Sequence, residues 1–170
     1  VIILSILFFL SKESLPIFST IGSNRTIKNY DVTGDGIKDF ISIDSINDKY
    51  KVNINSKGKD YILNPNKQLD TLGDHYDYWP LRITFLDISR DKLPEIFTQA
   101  SERGKAIQHI FVWNKDKFQD ILSNTNNLLG FIDLHNNKTP KIISGNIGEN
   151  DISIANYIFS QGKLIHYSNN

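Results

Sequence analysis

The sequence contains no cysteine and no methionine among its 170 residues. Without cysteine there is no disulfide framework, no thiol catalysis, no cysteine-ligated zinc and no lipid attachment through a lipobox cysteine. Because methionine is absent, Val1 is not a translation start, and we expect the gene product to extend upstream. A chain of this length buries roughly 68–70% of its unfolded surface on folding, so it needs no disulfides for stability.

An excess of charge of either sign is also absent, since 19 basic and 19 acidic side chains give a formal net charge of zero. The basic residues are scattered, which argues against nucleic acid as a partner. Sustained helical periodicity is missing, as are the P-loop, dinucleotide and G-x-S-x-G signatures of common enzyme classes. These absences leave one domain, or one run of small repeats, without an evident catalytic centre.

The amino terminus, residues 1–10, is apolar except for one serine. It is too short to span a bilayer, which needs about 20 apolar residues, but it fits the apolar region of a signal peptide. We interpret residues 1–14 as a truncated signal peptide or anchor remnant and residues 15–170 as a single domain. The expected location is extracellular, either secreted or tethered to the cell surface. Because no A-x-A cleavage site is present, a retained N-terminal membrane anchor stays open, and a buried strand is the other reading.

Three segments share one pattern: a short apolar stretch ending in aspartate, a polar loop, and a second β-prone stretch. They are Ile27–Ile43, Ile83–Thr98 and Leu129–Ser144. Their aspartates, Asp31, Asp87 and Asp133, are separated by 56 and 46 residues. Periods in this range are typical of propellers and related arrays.

Each segment is followed by two β-branched or aromatic runs that a short polar turn separates, which is a hairpin pattern. The pairs are Lys49–Asn55 with Asp60–Leu63, Ile107–Asn114 with Phe118–Leu122, and Ile152–Ser160 with Lys163–Tyr167. Each unit therefore holds four strands, in units of about 27–63, 81–122 and 129–167. We predict an all-β fold of three four-stranded antiparallel propeller-type blades, forming a partial or small β-propeller-like array.

The first loop, D-V-T-G-D-G-I-K-D, offers oxygen atoms at alternate positions. They are the side chains of Asp31, Thr33, Asp35 and Asp39 and the carbonyl of Ile37. Calcium takes 6–8 oxygen ligands, so the spacing predicts a Ca²⁺ site, with a polar turn held by Asx hydrogen bonds as the alternative. An EF-hand loop begins in the same way but needs an acidic residue at position 12, where this chain has Ser42, and a helix afterwards.

The pattern resembles the FG-GAP/VCBS repeats of integrin-type β-propellers, whose blades carry a D-x-[DNT]-x-D-G-x-x-D calcium loop between their first two strands. The resemblance covers residues 27–167, is specific in the first unit and is weak by the third. It implies calcium ligation by the five first-loop residues, in a bacterial-type secreted or surface protein. It does not specify a ligand or an activity.

The second loop keeps the oxygen pattern, with two glycines replaced by Arg90 and Lys92. Its weaker set of metal ligands is Asp87, Ser89, Asp91, Glu95 and the Leu93 carbonyl. Each replaced glycine costs about 1–2 kcal/mol if that residue is held at positive φ. The third loop keeps Asp133 but has His135, Asn137 and Lys141 at positions 3, 5 and 9, and we expect no ion there.

We expect a calcium-binding recognition or adhesion module with no catalytic role and with an unidentified protein or carbohydrate partner. The alternative is an extracellular carbohydrate-active enzyme, or its accessory subunit, with a site on the blade loops. His109 and His166 are expected to be hydrogen-bonded structural residues in strands, and Trp113 a core residue. The aromatic stretch His75–Pro80 either packs between units or binds a ligand.

Three units are few for a closed ring, so the flanks of the first and last blades are expected to be uncovered. Three solutions are open: an open wedge sealed by the Leu15–Asn29 segment and the Asn64–Pro80 connection, a self-associated pair, or further blades in a longer protein.

Overall fold

The computed structural model of the chain describes residues 19–20, 25–27, 30–76, 80–126, 128–132, 140–161 and 163–167. These residues form thirteen strands and their connections, with no helix among them. Across these ranges, no helix is found that is long and apolar enough to cross a membrane.

The strands form three antiparallel sheets, named here in chain order. Sheet 1 contains β2 (Arg25–Ile27), β3 (Phe40–Ile46), β4 (Lys49–Ser56) and β5 (Lys59–Ile62). Sheet 2 contains β1 (Ser19–Thr20), β6 (Arg82–Leu86), β7 (Glu95–Glu102), β8 (Lys105–Asn114) and β9 (Lys117–Asn124). Sheet 3 contains β10 (Leu128–Ile132), β11 (Lys141–Ile147), β12 (Ile152–Ser160) and β13 (Lys163–His166). Within each sheet, consecutive strands are neighbours, apart from β1, which pairs with β6.

Alternating side chains explain why these segments form strands. In β4, Tyr50, Val52 and Ile54 are buried, whereas Lys51 and Asn53 between them face outward. Short turns join the hairpins and contain residues at positive φ, which suits the twist of the flanking strands. These turn residues are Asn47, Asp48, Lys57, Gly58, Arg103, Gly104, Lys115 and Gln161.

Sheet 2 lies between the other two sheets and buries both of its faces. One face, with Ile83 and Phe111, packs against sheet 1 in a first core. The other face, with Phe97 and Ile110, packs against Ile142 of sheet 3 in a second core. Each outer sheet therefore has one face in a core and one face directed away from sheet 2.

The long connection between sheets 1 and 2 is ordered over its described part, 63–76. The N–H of Asp74 donates to the carbonyl of Ser101 (2.8 Å), and the N–H of His75 donates to the carbonyl of Asp48 (2.8 Å). The Lys49 ammonium pairs with Asp74 (2.6 Å) and also with Glu102. The connection thus links the β3–β4 turn to the β7–β8 turn.

The structure confirms the all-β class and the three antiparallel sheets, while their propeller arrangement stays a prediction. The pairing of β1 with β6 was not expected from the sequence. Several predictions lie outside the described residues: the signal or anchor segment 1–14, Trp79, and the third loop at 133–139.

Candidate metal loops

Asp31 organises the first loop by accepting three backbone hydrogen bonds. The N–H groups of Gly34 (2.7 Å) and Asp35 (3.1 Å) donate to its Oδ1, and that of Gly36 (2.7 Å) donates to its Oδ2. The loop therefore wraps around the carboxylate at position 1, in the manner of an Asx turn extended by two residues.

A chain of polar contacts joins the other side chains of the predicted set. Asp39 Oδ2 accepts the N–H of Val32 (2.8 Å) and lies 3.2 Å from the hydroxyl of Thr33. The Thr33 hydroxyl lies 3.0 Å from that of Ser56, which donates to Asp35 Oδ2 (2.8 Å). The structure thus brings Thr33, Asp35 and Asp39 together through Ser56, a residue that the sequence pattern does not include.

Lys57 supplies positive charge to this loop. Its Nζ lies 3.4 Å from Asp35 Oδ2 and 3.3 Å from the Asp35 carbonyl oxygen. Desolvation acts to raise the pKa of Asp35, but hydrogen bonds from Ser56 and the Ile37 N–H, together with Lys57, outweigh it and leave the pKa below its usual value. The carboxylate is thus ionised at neutral pH, as a metal ligand needs to be.

The second loop repeats these contacts at equivalent positions. Asp87 accepts the N–H groups of Arg90 (2.6 Å) and Lys92 (3.0 Å), as Asp31 accepts those of Gly34 and Gly36. The N–H of Ile88 donates to Glu95 (2.6 Å), the counterpart of Val32 donating to Asp39. The N–H of Leu93 donates to Asp91 (2.8 Å), as the Ile37 N–H does to Asp35.

The backbone of both loops requires positive φ at positions 4 and 6. Gly34 and Gly36 have φ values of 75° and 83° in the first loop. Arg90 and Lys92 have values of 65° and 72° in the second. Both non-glycine residues are therefore held at positive φ, which is the condition for the strain expected from the sequence. The second loop carries backbone strain that the first avoids.

Glu95 differs from its counterpart Asp39 in its environment. Burial raises the pKa of Glu95 to about 7, against the lowering effect of the hydrogen bond from the Ile88 N–H. A nearby positive charge stabilises the ionised form of a carboxyl group, so a cation in this loop would oppose the effect of burial.

The carboxylates do not converge on one point. Among the described residues, no three histidine, aspartate or glutamate side chains are grouped closely enough to hold a metal ion. Their oxygens are instead occupied by loop N–H and hydroxyl groups. Calcium binding by either loop therefore stays a prediction.

Replacing the strained residues of the second loop with glycine tests this reading of the backbone. We expect Arg90→Gly and Lys92→Gly each to raise the free energy of unfolding by about 1 kcal/mol, because relief of left-handed strain exceeds the added entropy of the unfolded chain. Urea unfolding in the presence of chelator measures this. Gly36→Ala is the matched control: no atom lies within 4 Å of the added Cβ, so strain alone should lower stability by about as much. A lower stability of Arg90→Gly would contradict the assignment of backbone strain to this position.

His109, in β8, is fully buried and lies at the centre of a polar cluster. Its Nδ1 lies 2.8 Å from Asp120 Oδ2 and 3.1 Å from the Ser123 hydroxyl, and its Nε2 lies 2.9 Å from the Thr71 carbonyl. The side chains of His109 and Asp120 are 0% and 1% exposed. The prediction of a hydrogen-bonded structural histidine in a strand is confirmed for His109.

The carboxylate of Asp120 is the centre of this buried group. Burial acts to raise its pKa, but hydrogen bonds from His109, Ser123 and the Asn66 N–H together lower it. The His109–Asp120 pair is therefore a hydrogen-bonded pair buried beside the long connection.

The other predicted positions have plain structural roles. Trp113 is partly buried and packs edge-on against Tyr61 of sheet 1, with ring centroids 4.9 Å apart. His166 lies on β13, where its ring centroid is 5.7 Å from that of Tyr157. Ser56, Lys57 and the His109–Asp120 pair were missed, because no local motif connects residues that distant parts of the chain bring together.

Comparisons with known proteins add no identification. No protein-family model matches this chain, and no curated protein or solved structure matches it.

Proposed function

We propose that this protein is a calcium-binding FG-GAP/VCBS-like repeat module that is secreted or tethered to the cell surface and has a non-catalytic recognition or adhesion role. One observation carries the proposal: two loops 56 residues apart share four equivalent backbone hydrogen bonds, and they join neighbouring antiparallel strands, β2 to β3 and β6 to β7. In the resembled family the calcium loop occupies that place in each blade. The three sheets would then be blades of a propeller-type array.

The donor set of the first loop suits calcium chemically. Three carboxylates, one hydroxyl and one carbonyl are hard oxygen donors, and water would complete the 6–8 ligands that calcium prefers. Asp31, Thr33, Asp35 and Asp39 would bind through side chains and Ile37 through its carbonyl. Lys57 competes with the ion for Asp35, which favours a weak site.

Calcium should stabilise the protein modestly. For a Kd near 10⁻⁴ M at millimolar calcium, linkage gives about 1.4 kcal/mol, or a rise in Tm of about 3–6 °C. Asp35→Ala should remove most of this rise in differential scanning calorimetry. Asp44→Ala, an exposed carboxylate on β3, is the matched control and should keep it. An identical melting curve with calcium and with chelator would refute the metal assignment.

The stoichiometry follows from the same loops. We expect one or two calcium ions per chain by isothermal titration calorimetry, because the third loop has one carboxylate, Asp133, beside Lys138 and Lys141. Three equivalent sites would contradict this. The recognition role is tested by binding of the calcium-loaded protein to arrayed glycans and surface proteins, with Asp35→Ala as the comparison.

A cleft favours the second candidate, an extracellular carbohydrate-active enzyme or its accessory subunit. It encloses about 440 Å³ between the second loop and sheet 3. Its lining includes Asp91, Glu95, Trp113 and Phe159. The cleft places two carboxyl groups, one of them with its pKa raised to about 7, beside the partly buried Trp113 and Phe159, and paired carboxyl groups next to aromatic residues are typical of glycosidase sites. Glycan hydrolysis that Glu95→Gln abolishes would support this candidate.

A further inference from the structure

The outward face of sheet 3 is apolar over most of its area. In β12, Tyr157 and Phe159 point into the second core, so the alternating residues point away from it. The register places further side chains of β10, β11 and β13 on the same outward face. The apolar members that are at least 36% exposed are Ile132, Ile147, Ile152, Ile154, Ile165 and Tyr167.

The outward face of sheet 1 is more mixed. Its polar members include Ser42, Asp44, Lys51, Asn53, Asn55 and Asp60, and its exposed apolar members are Phe40, Ile46 and Ile62. The amides of Asn53 (3.1 Å) and Asn55 (2.7 Å) both donate to Asp60, forming a hydrogen-bonded ladder. The expectation of uncovered apolar flanks therefore applies more strongly to sheet 3 than to sheet 1.

Six exposed apolar side chains on one face, with Asn156 as a polar residue among them by register, mark an interaction surface. Sheet 1 of another copy does not suit it, because Asp44, Lys51 and Asp60 would lose water without gaining partners. A head-to-tail chain of copies is thereby disfavoured. The same face of a second copy does suit it, in a closed two-fold pair.

The charges around the face favour one orientation of that pair. Two lysines, Lys141 and Lys163, lie toward one end of the strands, with Lys141 over the ring of Tyr167 at 4.0 Å. The opposite end is the exposed β11–β12 turn, with Glu149 and Asp151. A two-fold axis perpendicular to the strands brings the basic end of each copy onto the acidic turn of its partner.

We infer that two copies of this chain associate face to face through sheet 3. Each strand of one copy runs antiparallel to the equivalent strand of the other copy. At about 3.3 Å per residue and about 4.8 Å between strands, the sheet covers about 400 Å² in projection. Two such faces bury about 800 Å² together, which is the size of a weak, transient interface, so the dimer is expected to dissociate in the micromolar range or above. The inference is independent of calcium binding.

Sedimentation velocity of the full 170-residue chain from about 1 to 200 µM tests the pair. A monomer–dimer equilibrium is expected, and Ile154→Lys should weaken it by about tenfold or more, since a buried isoleucine contributes about 1.5–3 kcal/mol. Asn53→Lys, at an outward position of sheet 1, is the matched control and should leave the equilibrium unchanged. Unaltered melting curves show that both variants fold, and Ile152→Lys is the second variant for this face.

Charge reversal tests the orientation. Glu149→Lys with Asp151→Lys should weaken self-association, as should Lys141→Glu with Lys163→Glu. Mixing these two double variants should produce a heterodimer, because every end-to-end contact again joins opposite charges.

A chain that is monomeric at every concentration would overturn the inference. A dimer indifferent to Ile154→Lys, or aggregates without a discrete dimer, would overturn it as well. In a third outcome, Ile154→Lys disrupts the dimer, but the two charge variants form no heterodimer on mixing. This result would overturn the antiparallel arrangement.

Discussion

Replacing His109 with leucine will lower the free energy of unfolding by about 3–5 kcal/mol at neutral pH, because it leaves the buried Asp120 carboxylate without its hydrogen-bonding partner. The Thr71 carbonyl loses its donor in the same step. Urea unfolding measures the loss. It is the largest effect of a single side chain that we expect in this protein.

A double variant separates the loss of the pair from the loss of packing. His109→Leu combined with Asp120→Leu removes both members of the pair, and apolar replacement of both partners of a buried hydrogen bond or ion pair is often close to neutral. We expect it to be more stable than His109→Leu alone by at least about 1 kcal/mol, although the Asn66 N–H loses its acceptor. A double variant as unstable as the single would show that the unpaired Asp120 carboxylate is not the source of the loss.

The effect depends on pH in a defined direction. The pKa of Asp120 in the folded protein lies below its usual value. The stabilisation that the ionised carboxylate contributes is therefore fully present above the pKa of an unfolded aspartate. It is lost as the pH falls through the folded-state pKa. The difference in stability between the wild type and His109→Leu should therefore narrow below about pH 4.

The second large effect is expected at Gly73, in the long connection. Its φ is 113°, and a Cβ added there would lie 2.5 Å from the Ala100 Cβ and 3.0 Å from the Ser101 carbonyl oxygen. Backbone strain of about 1–2 kcal/mol and overpacking of about 1–3 kcal/mol together give a loss of about 3 kcal/mol for Gly73→Ala. Thermal and urea unfolding measure it.

Gly58→Ala is the matched control for this prediction. Gly58 has a φ of 82° in the β4–β5 turn, and an added Cβ meets nothing within 4 Å. Gly58→Ala should therefore lower the free energy of unfolding only by the backbone strain, about 1–2 kcal/mol. Equal losses at the two positions would mean that the connection moves away from β7 and β8 to accept the methyl group.

The repeated pattern of the sequence predicted most of the strands. Alternating β-branched residues and short polar turns locate β4, β8, β9, β12 and β13 to within a few residues, because side-chain period and turn chemistry are local properties. The loop spacing also predicted where positive φ is needed, at Gly34 and Gly36 and at Arg90 and Lys92. In β12, the predicted and observed bounds are both Ile152–Ser160.

The parts that were not predicted depend on residues far apart in the chain. Ser56 joins the first loop only because the β4–β5 hairpin folds back onto it. His109 and Asp120 meet across neighbouring strands, and their remaining partners come from a connection without a sequence motif. The pairing of β1 with β6 likewise has no local signal.

The sequence by itself determined the all-β class, the division into three strand groups and the conformation of the first two aspartate loops, since these follow from local preferences of φ, ψ and side-chain alternation. Only the tertiary structure decided which sheet faces are covered. Alternation shows that a strand has two faces, but the stacking order places sheet 2 between two cores. It also buries Ile142 and directs five other isoleucines of sheet 3 outward, namely Ile132, Ile147, Ile152, Ile154 and Ile165. Burial of a face is set by its neighbours in space, and for sheet 3 that neighbour is the partner we infer.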